Sequence, residues 1–285
     1  MRLLYPLICV FLLVSIIPLE FVTADQSNED DLFTLYGNIY DEEGNPALET
    51  SMKLIPRGSI WASDGTYSIE DITEGEHTVR AYFMNNGHTV AYRQIYIDSD
   101  TQLDWHVGKN WVTGKVYQDS GQLIEDPALT SVKLVDYNES ATPENGRISF
   151  GPYEIGNYYT VRAYYGDIDH STQYVHFKMQ SGSATEFDVN DFHFHHGKNS
   201  RYGFVKDSVG NAMSGVSVSD GNQTVATNTD GFYLLENLDV GSESTITFKH
   251  DDLEIAPPIT ELITTGEGWL NNTATIEINL PGNAS

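Results

Sequence analysis

The 285-residue chain has a single cysteine, Cys9. No internal disulfide can hold it, so its stability must come from packed cores alone. Basic residues are scarce: 15 Lys and Arg stand against 41 Asp and Glu, a formal net charge of −26. A surface of that sign repels nucleic acid and anionic lipid headgroups, which excludes both as partners. Past the N-terminal segment no stretch sustains a helical period, so helical bundles are excluded as well. Catalytic signatures are also missing. The chain has no G-x-S-x-G elbow, no H-E-x-x-H, no phosphate loop and no dinucleotide fingerprint. The expectation is a protein that is not an enzyme and needs no cofactor.

What is present begins with MRLLYPLICVFLLVSIIPLEFVTA, one early positive charge followed by a long apolar run and small residues at Thr23 and Ala24. This is the plan of a secretory signal peptide over 1–24, cut after Ala24. The run from Leu3 to Leu19 also approaches spanning length, so an uncleaved N-terminal anchor is the alternative. A lipid-anchored Cys9 fits poorly because the residue lies inside the apolar run behind Ile8. Signal and anchor alike place the remaining chain outside the cytoplasm, secreted or at the cell surface. The only membrane contact expected is through this segment, if it stays uncleaved. Residues 25–32, DQSNEDDL, are acidic and aperiodic and read as a flexible leader.

From Phe33 onward, short alternating segments dominate: TLYGNIY, SMKLI, TYSIE, HTVRAYF, RQIYI and QLDWHV in the first stretch. Period-2 alternation broken by turn residues predicts an all-β chain of antiparallel sandwiches. The pattern repeats. A glycine grid recurs at Gly37/Gly44/Gly65/Gly75, Gly114/Gly121/Gly146/Gly156 and Gly203/Gly210/Gly231/Gly241. TVRAY occurs at Thr78 and again at Thr160, each followed by a histidine, His88 and His170. Alternating segments close each unit at Leu103/Trp105/Val107, Phe192/Phe194/His196 and Ile276/Ile278/Leu280, and the first two are followed by Gly-Lys-Asn. That tripeptide reads as a linker and sets the expected boundaries: sandwiches over 33–108, 109–199 and 200–281, with a tail at 282–285. Units this small bury limited apolar surface, so docking between neighbours is expected to help hold them. Within the grid, the first glycine admits a close neighbour strand and the second sits in a turn. The third follows Asp64, Asn145 or Asp230 and signals a hairpin.

The stretch GFVKDSVGNAMSGVSVSDGNQTVATNTDGFYLLENLDVG, from Gly203 to Gly241, resembles the carboxypeptidase regulatory-like domain family. Residues 33–281 look like three such units, the first two divergent. The resemblance implies an Ig-like, transthyretin-like sandwich of seven strands, grouped with carbohydrate-binding-like folds. It also implies an accessory, spacer or adhesive role. Pilin-like relatives carry Lys–Asn cross-links, but Lys115 corresponds to Asn38 and Phe204 in the other units, so no repeated cross-link set is expected.

Three constellations carry candidate chemistry. Arg80, Tyr82 and Tyr92, with Arg162, Tyr164 and Tyr174 in the second unit, form an outward face able to stack on and hydrogen-bond sugars. The competing account is cross-strand packing of the tyrosines. Asp191, His193 and His195 alternate on one strand face and offer a zinc or copper site. Acidic clusters at Asp98/Asp100/Asp104, Asp167/Asp169 and Asp251/Asp252/Glu254 offer calcium, against the plainer reading of solvated turns. Asn138, Asn222, Asn271 and Asn283 begin glycosylation sequons. The leading expectation is a non-catalytic exported structural or adhesive protein whose partners are other surface proteins or extracellular polysaccharide. An extracellular carbohydrate-binding protein is the first alternative and a metal-binding one the second.

Overall fold

A computed structural model describes residues 32–265, apart from 86, 127, 167 and 184–188, together with 273–278. The expected signal or anchor with Cys9, most of the leader, Asp167, Asn271, Leu280, Asn283 and the tail lie outside the described residues. Among the described residues, no helix is long and apolar enough to cross a membrane.

The described chain is built from strands. The first group is β1 (Leu32–Tyr40), β2 (Thr50–Ile55), β3 (Ser59–Ala62), β4 (Thr66–Thr73), β5 (Gly75–Phe83), β6 (Thr89–Ile97), β7 (Thr101–Gln102) and β8 (Trp105–His106). The second is β9 (Lys109–Tyr117), β10 (Ser131–Leu134), β11 (Glu139–Ala141), β12 (Arg147–Glu154), β13 (Tyr158–Tyr165), β14 (Ser171–Lys178) and β15 (Asp191–His195). The third is β16 (Lys198–Asp207), β17 (Ser217–Ser219), β18 (Thr224–Ala226), β19 (Phe232–Asp239), β20 (Glu243–His250), β21 (Leu253–Leu262) and β22 (Thr273–Ile278).

All three groups are wired alike. One sheet runs β4-β1 with β7 and β8 on the far side of β1, then β12-β9-β15, then β19-β16-β22. The other runs β3-β2-β5-β6, then β11-β10-β13-β14, then β18-β17-β20-β21. Each sheet pair encloses its own hydrophobic cluster. The alternation that predicted strands is the alternation of burial: Val79, Ala81 and Phe83 point inward along β5 and Arg80 and Tyr82 outward.

Two features differ from the sequence expectation. The closing strands β7, β8, β15 and β22 run parallel to their opening strands, so the first group has two short parallel pairings and the other two groups one each in an otherwise antiparallel fold. The turns at Asp64-Gly65, Asn145-Gly146 and Asp230-Gly231 each sit at a corner where the chain leaves one sheet (β3, β11, β18) and enters the other (β4, β12, β19). Asn145-Gly146 is locally the expected two-residue hairpin turn, Glu144 and Arg147 exchanging both backbone hydrogen bonds at 2.9 Å, whereas the strands flanking Asp64-Gly65 and Asp230-Gly231 do not pair with each other. The first grid glycine acts as expected: a Cβ on Gly37 would lie 2.2 Å from the Leu103 carbonyl oxygen, and one on Gly114 would lie 2.5 Å from that of Phe192. Only glycine lets the closing strand approach so near.

Candidate functional site

The polar chemistry of this chain concentrates where one sandwich meets the next. Asn110 opens β9 and is 1 % exposed. Its Oδ1 accepts from the Tyr92 N–H on β6 at 2.9 Å and from the Trp111 N–H at 2.9 Å. Its Nδ2 donates to the Gln180 carbonyl at 2.8 Å. Asn199 opens β16 and is equally buried. It accepts from the N–H groups of Tyr174 on β14 and Ser200, each at 2.9 Å, and donates to the Thr264 carbonyl at 2.7 Å. A polar tripeptide read as a linker is thus a repeated buried staple. Each asparagine accepts from two buried backbone N–H groups and donates to a backbone carbonyl of the following segment.

The staples also cover strand edges. β6 and β14 are the outer strands of their sheets, and an open edge invites unwanted pairing. At the first joint the Val90 N–H donates to Ser181 Oγ at 2.9 Å and the Gly182 N–H donates to the Val90 carbonyl at 2.9 Å. The Tyr92 hydroxyl donates to the Ser183 carbonyl. Arg93 lies over the Trp111 ring, 4.0 Å from its centroid, and Arg147 pairs with Glu76. At the second joint Ser200 Oγ donates to the Tyr174 carbonyl, Lys178 pairs with Asp230, and the Tyr158 hydroxyl donates to Asp230 at 3.0 Å.

The staple is missing at the outer ends of the series. Phe33 stands in β1 where Asn110 and Asn199 stand in β9 and β16, all three opposite the same register position of the fourth strand. On β21, the segment facing Thr247 carries Pro257 and Pro258 where β6 and β14 carry Tyr92 and Tyr174. Proline has no N–H to donate, so that edge offers nothing for a staple asparagine to accept.

The expected sugar face is brought together pairwise: Arg80 lies directly opposite Tyr92, and Arg162 opposite Tyr174. Tyr92 and Tyr174, however, are 4 % and 8 % exposed, because the next sandwich covers them. Tyr82 and Tyr164 are half-buried and spend their hydroxyls on His88 Nδ1 at 2.7 Å and His170 Nδ1 at 2.9 Å, rings stacked. The histidines shared by the two TVRAY segments therefore lock hairpin ends.

On β15, Asp191, His193 and His195 alternate outward as expected. His193 Nε2 is 3.7 Å from Asp191 Oδ2, whereas His195 stacks on Tyr117 at 4.6 Å. Lys115 is in register beside His193, placing a cation where a metal ion would compete. No cluster of three or more metal-ligating groups occurs among the described residues. The acidic loop ends are occupied by backbone donors: Asp100 accepts from the Thr34 N–H and Asp104 from the Asn38 N–H, both on β1 at 2.8 Å, and Asp169 from the nearby Ser171 N–H at 2.9 Å. Asp251 and Asp252 sit exposed in a turn at positive φ. His196 is clamped between Asp119 at 2.6 Å and Asp169 at 3.0 Å. Although burial opposes it, the two carboxylates raise its pKa. Asn138 and Asn222 are exposed loop residues.

The second joint carries a titration. His176 lies between Tyr158 at 5.5 Å and Tyr202 at 4.2 Å, near-parallel to both, with Nδ1 2.9 Å from Thr160 Oγ1. Burial lowers its pKa from 6.5 to about 4, with Asp136 opposing weakly. Between those values the unfolded chain binds more protons than the folded one, so stability falls as pH drops from 6.5 toward 4 and levels off below. The loss attributable to this ring is about 2 kcal/mol, after allowing for its partial exposure to solvent. Denaturation measured at pH 7 and pH 4 should show that slope in the natural chain and a smaller one in His176→Phe.

No family model matches the sequence, and no curated protein matches it. Solved structures similar to it include the Bacillus anthracis TIE protein, at 12 % identity and TM-score 0.25, covering 87 % of this chain and 51 % of that one. The chain thus spans about half the length of that protein. A streptococcal ancillary pilin matches at 10 % identity and TM-score 0.23, covering 87 % and 99 % of the two chains. The major pilin subunit of Bacillus cereus matches at 11 % identity and TM-score 0.23, covering 87 % and 99 %.

Proposed function

We propose that this chain is a non-catalytic, exported structural or adhesive module in which three sandwiches, bounded near Gly108 and Gly197, act as one braced series. The observation that carries this reading is the repeated asparagine staple, which spends buried hydrogen bonds on fixing each sandwich to the next. A chain needing only three tethered binding domains has no use for buried joints; one that holds a surface partner at a set distance does. Phe33 and Pro257/Pro258 stand at the equivalent positions of the first and third units, so among the described residues the staple chemistry belongs to the two joints. The strongly acidic composition and the expected export segment support work outside the cytoplasm.

The test is made on cells that produce the protein. Surface biotinylation of intact cells should label it, and replacing both staple asparagines by alanine should reduce attachment to the partner surface several-fold per displayed molecule. Labelling only after lysis, or unchanged attachment by the double variant, contradicts the proposal.

A further inference from the structure

The two joints are built alike, yet the spaces beside them differ. At the second joint a cavity of about 390 Å³ is lined by Phe177, Phe192, Phe232, Tyr233 and Leu234, with the Lys178–Asp230 pair beside it. The corresponding cleft at the first joint measures about 740 Å³, within the range of about 300–1,000 Å³ usual for ligand sites. Its walls come from β5, β6 and β7 on one side and β9, β12 and the loop before β12 on the other. Where the second joint puts aromatic rings, the first puts hydroxyls and amides.

The lining specifies a ligand chemistry. Three cations, Arg93, Lys115 and Arg147, face three carboxylates, Glu76, Asp98 and Glu144, so the cleft offers an ion no net attraction. Hydrogen-bonding capacity is offered by Gln94 and Gln102 on one wall and by the exposed Thr142 and Asn145 on the other. Tyr96 is 52 % exposed at the same cleft, and its hydroxyl donates to Glu74 Oε1 at 2.8 Å, which holds the ring as a fixed platform. A rigid aromatic face beside side-chain amides matches the alternating apolar and hydroxyl faces of a sugar.

We propose that the cleft between the first two sandwiches binds a neutral, polyhydroxylated ligand, a short stretch of polysaccharide, with one sugar ring on Tyr96 and hydroxyls on Gln94, Gln102 and Asn145. The ligand touches both sandwiches, so its binding tightens the first joint without using the staple. The site is separate from Arg80/Tyr82 and Arg162/Tyr164 and does not depend on the surface-module reading.

The test is calorimetric titration of the full chain with neutral tetrasaccharides: cellotetraose, xylotetraose, maltotetraose and chitotetraose, with polygalacturonate as the acidic comparison. At least one neutral glycan should bind with a Kd below about 1 mM. Tyr96→Ala and, separately, Thr142→Trp, which fills the cleft from an exposed loop, should each weaken it about tenfold or more. Both should melt within about 2 °C of the natural chain, since neither position is in a core. Trp61→Ala, at an exposed ring on the outer strand β3, should leave binding unchanged. The proposal is overturned if no neutral glycan binds, if only polygalacturonate binds, or if binding survives both cleft variants.

Discussion

Asn110→Ala should lower the stability of the first joint by about 3 kcal/mol and split a single unfolding transition into two, the first sandwich melting earlier. The substitution removes the acceptor of the buried N–H groups of Tyr92 and Trp111, and each such loss costs about 1–3 kcal/mol, whereas the Gln180 carbonyl keeps its second donor, Asn190 Nδ2 at 2.9 Å. Asn199→Ala should act likewise at the second joint, on Tyr174, Ser200 and Thr264. Asn38→Ala is the comparison: its side chain donates only to Asp104, at 3.3 Å in a half-buried site, and its loss should cost less than about 1 kcal/mol. Differential scanning calorimetry separates these outcomes. Equal effects at Asn38 and Asn110 would contradict the staple account.

Gly231→Ala should destabilise the third sandwich by about 3 kcal/mol or more, whereas Gly210→Ala should cost about 1 kcal/mol. Both glycines have positive φ, +77° and +91°, so both substitutions carry backbone strain. At Gly210 nothing lies within 4 Å of the added Cβ. At Gly231 that Cβ would lie 2.3 Å from the Val205 carbonyl oxygen, which is main chain of β16 and cannot turn aside. The corner also places Asp230, the partner of Lys178 and Tyr158, so the second joint should loosen with it. Urea unfolding of the two variants checks the ratio. Indistinguishable midpoints would show that the close approach at this corner carries no weight.

The sequence made strands such as β4, β5 and β13 legible because burial alternates along them. TVRAY reads in-out-in-out, and the structure buries Val79 and Ala81 and turns Arg80 and Tyr82 outward. It also made the glycine at Gly37 legible, since a missing side chain in a strand has few uses. What stayed hidden depended on distant partners. β3 was missed because Ser59–Ala62 is a four-residue strand with Trp61 62 % exposed, too short and too exposed to show alternation. Asp64-Gly65 was read as a hairpin because turn chemistry reports local φ, not which sheet the next strand joins. Gly-Lys-Asn looked like a linker because three polar residues carry no local sign of burial. Asn110 is buried by Tyr92 and Gln180, which only the fold brings to it.

The candidate sites follow the same division. That Tyr92 would neighbour Arg80 was visible from spacing; that the following sandwich would bury it was not. The cleft at the first joint draws on strands from two sandwiches, so no stretch of sequence announces it. The one available sign was the repeat itself, which preserves asparagine at the two inner joints and puts phenylalanine and prolines at the equivalent outer positions.

Hydrogen exchange at the backbone amides of Tyr92 and Tyr174 tests the braced series most directly. Both lie on outer strands and point away from their own sheets toward a staple asparagine. The account predicts protection as strong as that of the core amides of β5 and β13, with exchange only through global unfolding. Exchange at the rate of a free strand edge would contradict it, and the three sandwiches would then be independent domains on a string.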